Sequence, residues 1–409
     1  MASSLLCRRK AAAVVLFSTL ARDSIAYKSY ARIRVHGSQW KDDPSWNTPL
    51  EGASKDAAIA ALSDFIGASK RLLVITGAGV STASGIPDYR GKEGSYKNGH
   101  KPMSHQEFIA RESNRQRYWA RSLVGFGKFL NGVEPNRCHT AISLLEAAGR
   151  VQHIITQNVD GLHSKAGSVG VTDLHGRIDR VRCMGCGNVE ARASVQARMM
   201  AENAEWARRW TSLSTEDGSG LGGRHVKQET EQQQADGDAE LVEGADYLSF
   251  KVPRCLCCGG QGNEHGNDIG PDHAILKPDV VFFGDNVPKN IVDHALVQVD
   301  ESDAVLIVGS SLEVFSAYRF VLRACHKDTA QISVEPHLES GSDGLNEENN
   351  LPPTSTGKKG TLLCPTKPLC ILNLGETRAE RSRVEPLLKI HLPCEEALWE
   401  VVTREGLVS

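Results

Sequence analysis

The stretch LLVITGAGVSTASGIPDYRG, from Leu72 to Gly91, constrains the fold of this chain more than any other segment. Its apolar, β-branched start predicts a buried strand, and Gly77 and Gly79 predict a tight turn directly after that strand. A strand followed by G-x-G is typical of turns whose backbone N–H groups hold a pyrophosphate. The third glycine of G-x-G-x-x-G is missing, however, because the next glycine is Gly85. The turn therefore predicts either a modified phosphate loop or glycines that serve packing alone.

Further β-branched runs alternate with helical patterns along the chain. This alternation predicts an α/β fold with a doubly wound parallel sheet of the Rossmann type, and nearly continuous apolar strands fit burial on both faces. The predicted strands are VQHIITQNVD (Val151 to Asp160), KPDVVFFG (Lys277 to Gly284), AVLIVGSSL (Ala304 to Leu312) and LCILNLG (Leu369 to Gly375); the predicted helices are KDAAIAALSDFIGAS (Lys55 to Ser69), HTAISLLEAAG (His139 to Gly149) and SAYRFVLRACHK (Ser316 to Lys327).

Composition excludes two classes of partner. The chain has 409 residues, a formal net charge of −3 and a sequence pI near 6.5, which gives no electrostatic reason to expect nucleic-acid binding. No apolar run approaches the roughly 18 residues that a membrane span needs. We therefore expect a protein that binds neither nucleic acid nor membrane.

Two C-x-x-C pairs, CMGCG and CLCCGG, stand out among the eleven cysteines. A C-x-x-C pair followed by glycine is typical of a turn around a tetrahedral zinc ion, and four thiolates leave no open position on the metal. The pairs therefore predict one structural Zn²⁺ held by Cys183, Cys186, Cys255 and Cys258. Cys257 offers an alternative ligand, but Cys258 restores the two-residue spacing. A redox-active cysteine pair is the competing interpretation.

The first forty residues contain five arginines and two lysines but only one acid, Asp23. Arginine-rich, acid-poor leaders are typical of mitochondrial transit peptides. A secretory signal is the competing interpretation, because basic residues precede the apolar run Ala11 to Leu20. The thiol-rich metal site favours a reducing compartment, so we expect the mitochondrial matrix, with a plastid as the alternative.

Polar side chains follow the second predicted strand in TQNVDGLH. Because open α/β sheets bind ligands beyond the carboxyl ends of their strands, Gln157, Asn158 and Asp160 are candidates to contact a ribose or an amide. Arg90 suits a phosphate or carboxylate. His175, in LHG just before the first cysteine pair, is a candidate proton acceptor at neutral pH. Each of these also has a plain structural interpretation as a capping or surface residue.

These motifs resemble those of the sirtuins, the NAD-dependent protein lysine deacylases. The resemblance lies in GAGVSTASGIPDYR, TQNVDGLH, LHG before C-x-x-C…C-x-x-C, KPDVVFFGD, VGSSL and NLG, in that order, over about Ala57 to Val402. Sirtuins have a modified Rossmann domain without the complete dinucleotide fingerprint, which would explain the missing glycine.

The resemblance implies a role for each motif. NAD is the expected cofactor, consumed as a co-substrate, and acyl-lysine proteins or peptides are the expected substrates, held on the KPDVVFFG segment. Catalysis is expected from His175 and Asn158; NAD binding from Gly77, Ala78, Gly79, Ser81, Thr82, Gly85, Ile86, Pro87, Asp88, Tyr89, Arg90, Gln157, Asn158, Asp160, Gly309, Ser310, Ser311, Asn373, Leu374, Gly375 and Cys394; and substrate binding from Val280, Val281, Phe282, Phe283, Gly284, Tyr118 and Arg121.

Domain boundaries follow from the motifs together with three polar stretches. The expected parts are a transit peptide and linker (1–45), the first part of an NAD-binding domain (46–174), a zinc-binding module (175–275) with a disordered insertion at about 201–244 and a polar stretch at 259–273, and the second part of the NAD-binding domain (276–409) with an insertion at about 335–360.

The expected reaction begins with attack of the acyl-lysine carbonyl on the nicotinamide ribose and releases nicotinamide and 2′-O-acyl-ADP-ribose, with His175 as the base. RQRYWAR and DLHGRIDRVRC look most like the class II, mitochondrial branch, which is associated with longer or carboxyl-bearing acyl groups such as lipoyl. Tyr118 and Arg121 have the spacing that the desuccinylase branch uses for an acyl carboxylate, although ordinary helix packing explains them equally well. Protein mono-ADP-ribosylation and a non-catalytic NAD- and zinc-binding scaffold are the alternatives.

Overall fold

The computed structural model describes residues 54–91, 94–97, 102–211, 246–259, 274–325, 367–382, 384 and 387–408. The predicted leader and the predicted insertion at 335–360 lie outside the described residues, as does most of the other two polar stretches. None of the described helices combines the length and the apolar character that crossing a bilayer would need.

A six-stranded sheet forms the centre of the molecule, and every neighbouring pair of strands in it is parallel, as predicted. The strand order is β3-β2-β1-β7-β8-β9. All side chains of β1 and β7 are buried, because helices cover both faces of the sheet. The strands are β1 (Leu72–Thr76), β2 (Val151–Thr156), β3 (Val171–Asp173), β7 (Ala304–Val308), β8 (Leu369–Leu372) and β9 (Leu388–Ile390).

Two helical layers enclose this sheet. Helices α1 (Lys55–Ala68), α4 (Arg137–Ala147) and α11 (Cys394–Arg404) share one apolar core with one face of the strands. Helices α8 (Lys289–Glu301) and α9 (Phe315–Cys325) share a second core with the other face. The remaining helices are α2 (His105–Ala110), α3 (Glu112–Gly132), α5 (Leu162–Lys165), α6 (Arg192–Glu202), α7 (Ala204–Thr211) and α10 (Arg378–Arg381).

A second, antiparallel sheet in the order β5-β4-β6 corrects one prediction. The segment KPDVVFFG was expected in the parallel sheet, but its strand, β6 (Leu276–Val280), pairs with β4 (Gly176–Cys183) instead. Its charged side chains favour this position, because they have partners beside the small sheet: Lys277 is buried and forms an ion pair with Asp285. Asp279 likewise accepts a hydrogen bond from the Arg182 side chain at 2.8 Å. The third strand is β5 (Val189–Ala191).

The small lobe consists of this sheet with α2, α3, α6, α7 and residues 246–259. Its apolar core joins Phe108 and Trp119, which precede β2 in the chain, to Val181, Met199 and Phe250. The predicted start of a disordered insertion at 201 is wrong, because residues 201–211 continue α6 and form α7. The reason is packing, since α7 contributes buried side chains to the same core.

Strand order reverses between β1 and β7: β2 and β3 lie on one side of this pair, and β8 and β9 lie on the other. The glycine turns that follow β1 and β7 meet at this point. The Gly79 backbone N–H donates to the Gly309 carbonyl oxygen at 2.9 Å. A β-carbon on Gly77 would lie 2.8 Å from the Ser310 Cβ, and one on Gly79 would lie 2.8 Å from the Gly309 carbonyl oxygen. Both glycines of the G-x-G turn are therefore required for loop packing, whatever ligand the turn holds.

We expect Gly309→Ala to lower the free energy of unfolding by roughly 2–4 kcal/mol, measured by urea denaturation of the full chain. Gly309 has a φ of 58°, and an added β-carbon would lie 2.6 Å from the Val80 backbone nitrogen. Gly67→Ala in α1 is the matched control, because an added β-carbon there meets no atom within 4 Å. It should stabilise the protein by roughly 0.5–1 kcal/mol. Equal stability of the Gly309→Ala variant and the unchanged protein would contradict this account of the turn.

Candidate active site

A cleft of about 1050 Å³ opens at the carboxyl ends of β1, β2, β7 and β8, where the small lobe faces the sheet. This is the position at which doubly wound sheets bind their ligands. All of the predicted catalytic, cofactor-binding and substrate-binding residues line this cleft except Gly85, Pro87 and Arg121. The structure thus brings together motifs that are separated by up to about 300 residues in the sequence.

His175 lines the cleft between β3 and β4, and its two ring nitrogens have different partners. Nδ1 lies 2.9 Å from the Gln157 carbonyl oxygen, and Nε2 lies 2.8 Å from the Ser316 Oγ. Because a carbonyl oxygen can only accept, Nδ1 carries the proton and Nε2 is the basic atom. Burial lowers the pKa of His175 to about 4. The imidazole is therefore neutral at pH 7 and able to accept a proton.

A chain of hydrogen bonds forms the polar floor of the cleft. The Asn158 amide donates to Ser81 Oγ at 3.0 Å, and Ser81 Oγ donates to the Asp160 carboxylate at 2.7 Å. Asp160 also accepts from the Leu162 backbone N–H at 2.9 Å. The cofactor candidates Ser81, Asn158 and Asp160 therefore hold one another in fixed orientations before any ligand is present.

Two buried histidines below this floor were not identified from the sequence as site residues. His139 Nε2 lies 3.4 Å from Ser81 Oγ, and His163 Nε2 lies 3.0 Å from Thr76 Oγ1. Burial lowers the pKa of His139 to about 4 and that of His163 to about 3. Their rings meet edge to face with centroids 4.9 Å apart. Both residues are neutral supports of the floor, and the helical pattern around His139 gave no sign of this role.

Gln157 has a more structural position than the sequence suggested. Its side-chain amide donates to the Thr76 carbonyl oxygen at 3.1 Å and to Ser310 Oγ at 2.8 Å. These bonds tie the turn after β2 to the turns after β1 and β7. Cys394, at the start of α11, similarly donates to the Gly79 carbonyl oxygen at 3.4 Å.

The segment 281–284 forms one wall of the cleft. The Val281 backbone N–H donates to the His175 carbonyl oxygen at 2.9 Å, so this wall is tied directly to the catalytic candidate. The Phe283 carbonyl oxygen accepts from the His105 backbone N–H at 2.9 Å. Tyr118 packs between Phe108 and Phe282, with ring centroids 5.4 Å apart in each pair.

Tyr118 and Arg121 do not face the cleft together. Tyr118 is 7% exposed and lines the cleft, whereas Arg121 does not. The surroundings of Tyr118 are aromatic, as its neighbours show. The helix-packing interpretation of the Y-x-x-R spacing therefore fits the geometry better than a joint carboxylate site.

The four predicted zinc ligands lie together at the far end of the small lobe, with all four sulfur atoms within 4.8 Å of one another. Cys183 and Cys258 sulfurs are 3.5 Å apart, and Cys186 and Cys255 sulfurs are 3.7 Å apart. A tetrahedral site with Zn–S bonds of about 2.3 Å places its sulfurs roughly 3.8 Å apart. The residues fit a zinc ion, and exposed Cys257 is outside the cluster, as predicted.

Comparisons with known proteins agree with this geometry. Residues 77–316 match the Sir2 family. NAD-dependent protein deacetylase 2 of Bradyrhizobium diazoefficiens is 45% identical over 281 residues, covering 69% of this chain and 87% of the relative. The NAD-dependent protein lipoamidase sirtuin-4, mitochondrial, of Homo sapiens is 43% identical over 268 residues, covering 65% and 74% respectively.

Solved structures show the same fold. A Sir2 structure containing a deacetylated p53 peptide and 3′-O-acetyl-ADP-ribose has a TM-score of 0.52 at 22% identity, covering 86% of this chain and 99% of that chain. A second structure, bound to a propionylated peptide, has a TM-score of 0.52 at 21% identity, with the same coverage.

We expect Cys183→Ser to abolish stoichiometric zinc binding, measured by elemental analysis of the purified protein. Structural zinc binding is worth about 10–16 kcal/mol in small domains, so the loss should also destabilise the small lobe. Cys257→Ser is the control and should retain one equivalent of zinc, because that thiol is outside the cluster. Zinc retained by the first variant, or lost from the second, would show that the ligand assignment is wrong.

Proposed function

We propose that this chain, which belongs to the Sir2 family and is an NAD-dependent protein deacylase of the sirtuin type, removes acyl groups from lysine side chains and releases nicotinamide and 2′-O-acyl-ADP-ribose. The observation that supports this most directly is the neutral His175 in the cleft, with Nδ1 protonated and Nε2 as the basic atom, which lies 2.8 Å from Ser316 Oγ. A non-catalytic scaffold would have no need for an oriented, partly buried imidazole in the same cleft as the amide and carboxylate of the floor.

The residues of the cleft fit NAD. Because the glycines of the two turns have no side chains, the backbone of these turns borders the cleft directly. Arg90 and the polar floor supply groups suited to phosphates and ribose hydroxyls. Asn373 and the turn after β7, which also line the cleft, would hold the adenosine half. When bound, NAD supplies a ribose carbon from which nicotinamide can leave as the acyl oxygen attacks.

Each polar residue of the floor has a definite task in this proposal. His175 Nε2 accepts a proton from a ribose hydroxyl, and the Gln157 carbonyl oxygen holds the ring in the required tautomer. Asn158 and Asp160, linked through Ser81, hold their positions without further reorganisation as the ligand binds. The low pKa of His175, about 4, keeps the base unprotonated throughout the physiological range.

The peptide substrate would bind along segment 281–284, where an extended chain can pair by backbone hydrogen bonds. The aromatic cluster of Phe108, Tyr118 and Phe282 adjoins this wall. Such surroundings favour apolar acyl chains over charged ones, because an unpaired carboxylate is costly to bury among aromatic rings. We therefore propose a preference for longer, uncharged acyl groups such as lipoyl.

We expect His175→Tyr to abolish deacylation of acyl-lysine peptides while zinc content and thermal stability remain close to normal. A general base contributes about 10²- to 10⁴-fold to the rate. Mass spectrometry of the products checks this: the unchanged protein should form acyl-ADP-ribose, whereas an ADP-ribosylated protein without acyl-ADP-ribose would favour the transferase alternative. Full deacylase activity in the variant would remove His175 from the mechanism.

The pH profile provides a second readout of the same assignment. Because the pKa of His175 is about 4, kcat/KM should show no inflection near pH 6.5, the value of an unperturbed histidine. An inflection at that pH would contradict the described environment of the imidazole.

We also propose that the protein acts in the mitochondrial matrix, on the basis of the arginine-rich, acid-poor leader. The leader lies outside the described residues, so the proposal rests on composition alone. Residues 1–45 fused to a fluorescent protein should direct it to mitochondria. The same fusion with its five arginines changed to glutamine should remain in the cytosol. Delivery to plastids or to the secretory pathway would refute the assignment.

A further inference from the structure

Arg319 lines the cleft from α9 but belongs to none of the motifs discussed above. It follows Ser316, the partner of His175 Nε2, by three residues, so the two share one face of the helix. One helical turn rises about 5.4 Å, which places Arg319 one turn away from the catalytic imidazole's partner. Its guanidinium lies over the Phe315 ring, 5.2 Å from the ring centroid.

The Arg319 side chain lacks an anionic partner within the described part of the chain. Its Nε atom is buried and has no hydrogen-bond partner there. Burial lowers the pKa of the guanidinium below its usual value, with no carboxylate to offset this cost. Leaving a buried hydrogen-bond donor without an acceptor costs free energy. The presence of such a donor in a ligand-binding cleft therefore indicates that a ligand supplies the acceptor.

Two carboxylates that line the cleft, those of Asp285 and Glu313, already have basic partners other than Arg319. Asp285 lies 3.3 Å from Lys277 Nζ and 3.3 Å from His105 Nδ1. Glu313 forms an ion pair with Arg381. Arg319 therefore contributes a positive charge that its surroundings do not neutralise.

We infer that Arg319 is a specificity-determining residue that binds a carboxylate of the acyl-lysine substrate. Because the acyl group itself is proposed above to be uncharged, the favoured source is an acidic side chain next to the acyl-lysine; a carboxylate at the end of the acyl group would form the same charge-assisted pair and is the other outcome of the test. Segments 281–285 and 313–316 line the same cleft as Arg319. This inference rests on the deacylase function proposed above.

The test uses the full chain and three acyl-lysine peptides. One has neutral flanking residues and a neutral acyl group, the second has acidic flanking residues and the same acyl group, and the third has neutral flanking residues and a glutaryl group. We expect the unchanged protein to have a lower KM for one of the two acidic peptides than for the neutral one, and Arg319→Gln to raise that KM about tenfold. Which acidic peptide responds identifies the source of the carboxylate.

Two further variants keep the result interpretable. Arg319→Lys should restore part of the preference, because it keeps the charge but not the planar donor geometry. Arg323→Gln should leave all KM values unchanged, because Arg323 lies on the same helix but pairs with Asp300 at 2.7 Å. An equal effect of Arg319→Gln on all three peptides, or no preference for either acidic peptide in the unchanged protein, would overturn the inference.

Failure of the deacylase proposal would give a different experimental result from failure of the Arg319 inference. If the unchanged protein deacylated none of the peptides, the deacylase proposal would fail. Binding of the acidic and neutral peptides, measured by fluorescence anisotropy for the unchanged protein and Arg319→Gln, would still decide the role of Arg319. Equal affinities for both peptides in both proteins would then exclude a carboxylate-binding role.

Discussion

The close contact between two glycine turns at the centre of the sheet is the constraint on which the site depends. The turn after β1 and the turn after β7 meet at backbone-to-backbone distance, joined by the bond from the Gly79 N–H to the Gly309 carbonyl oxygen. This contact fixes where β1, β7 and their following loops end. The turn after β2 is placed relative to these ends, because the Gln157 side chain ties it to both.

Burial gives the site its chemical character. The histidines at 139, 163 and 175 are all kept neutral, because each is removed from water without an adjacent carboxylate strong enough to offset the desolvation of the charged form. Only His175 is in the cleft, and its neutral form is also oriented, because a backbone carbonyl accepts the proton of the other ring nitrogen. The two supporting histidines contribute fixed hydrogen-bonding positions and no net charge to the floor.

The sequence predicted the parallel sheet and the four thiol ligands because both depend on local patterns. An apolar run such as that of β1 directly indicates a buried strand, and C-x-x-C spacing indicates a turn around a metal ion. The prediction that β6 belongs to the parallel sheet was wrong, because an apolar run alone does not show which sheet a strand joins. The floor contacts of His139 and His163 depend on residues from distant segments, so no local pattern could have revealed them.

The arrangement of the four thiols has a consequence for how this chain can vary. One C-x-x-C pair follows β4 and the other precedes β6, so the 68 residues from Gly187 to Arg254 begin and end at the same cross-linked point. The entropy of closing such a loop grows slowly, by only about 0.6 kcal/mol for each doubling of its length. Because β5, α6 and α7 belong to the packed lobe, homologous chains could therefore gain or lose residues between Thr211 and Asp246 while the catalytic cleft stays unchanged. Changes in chain length during evolution are thereby tolerated at the end of the small lobe that lies away from the cleft.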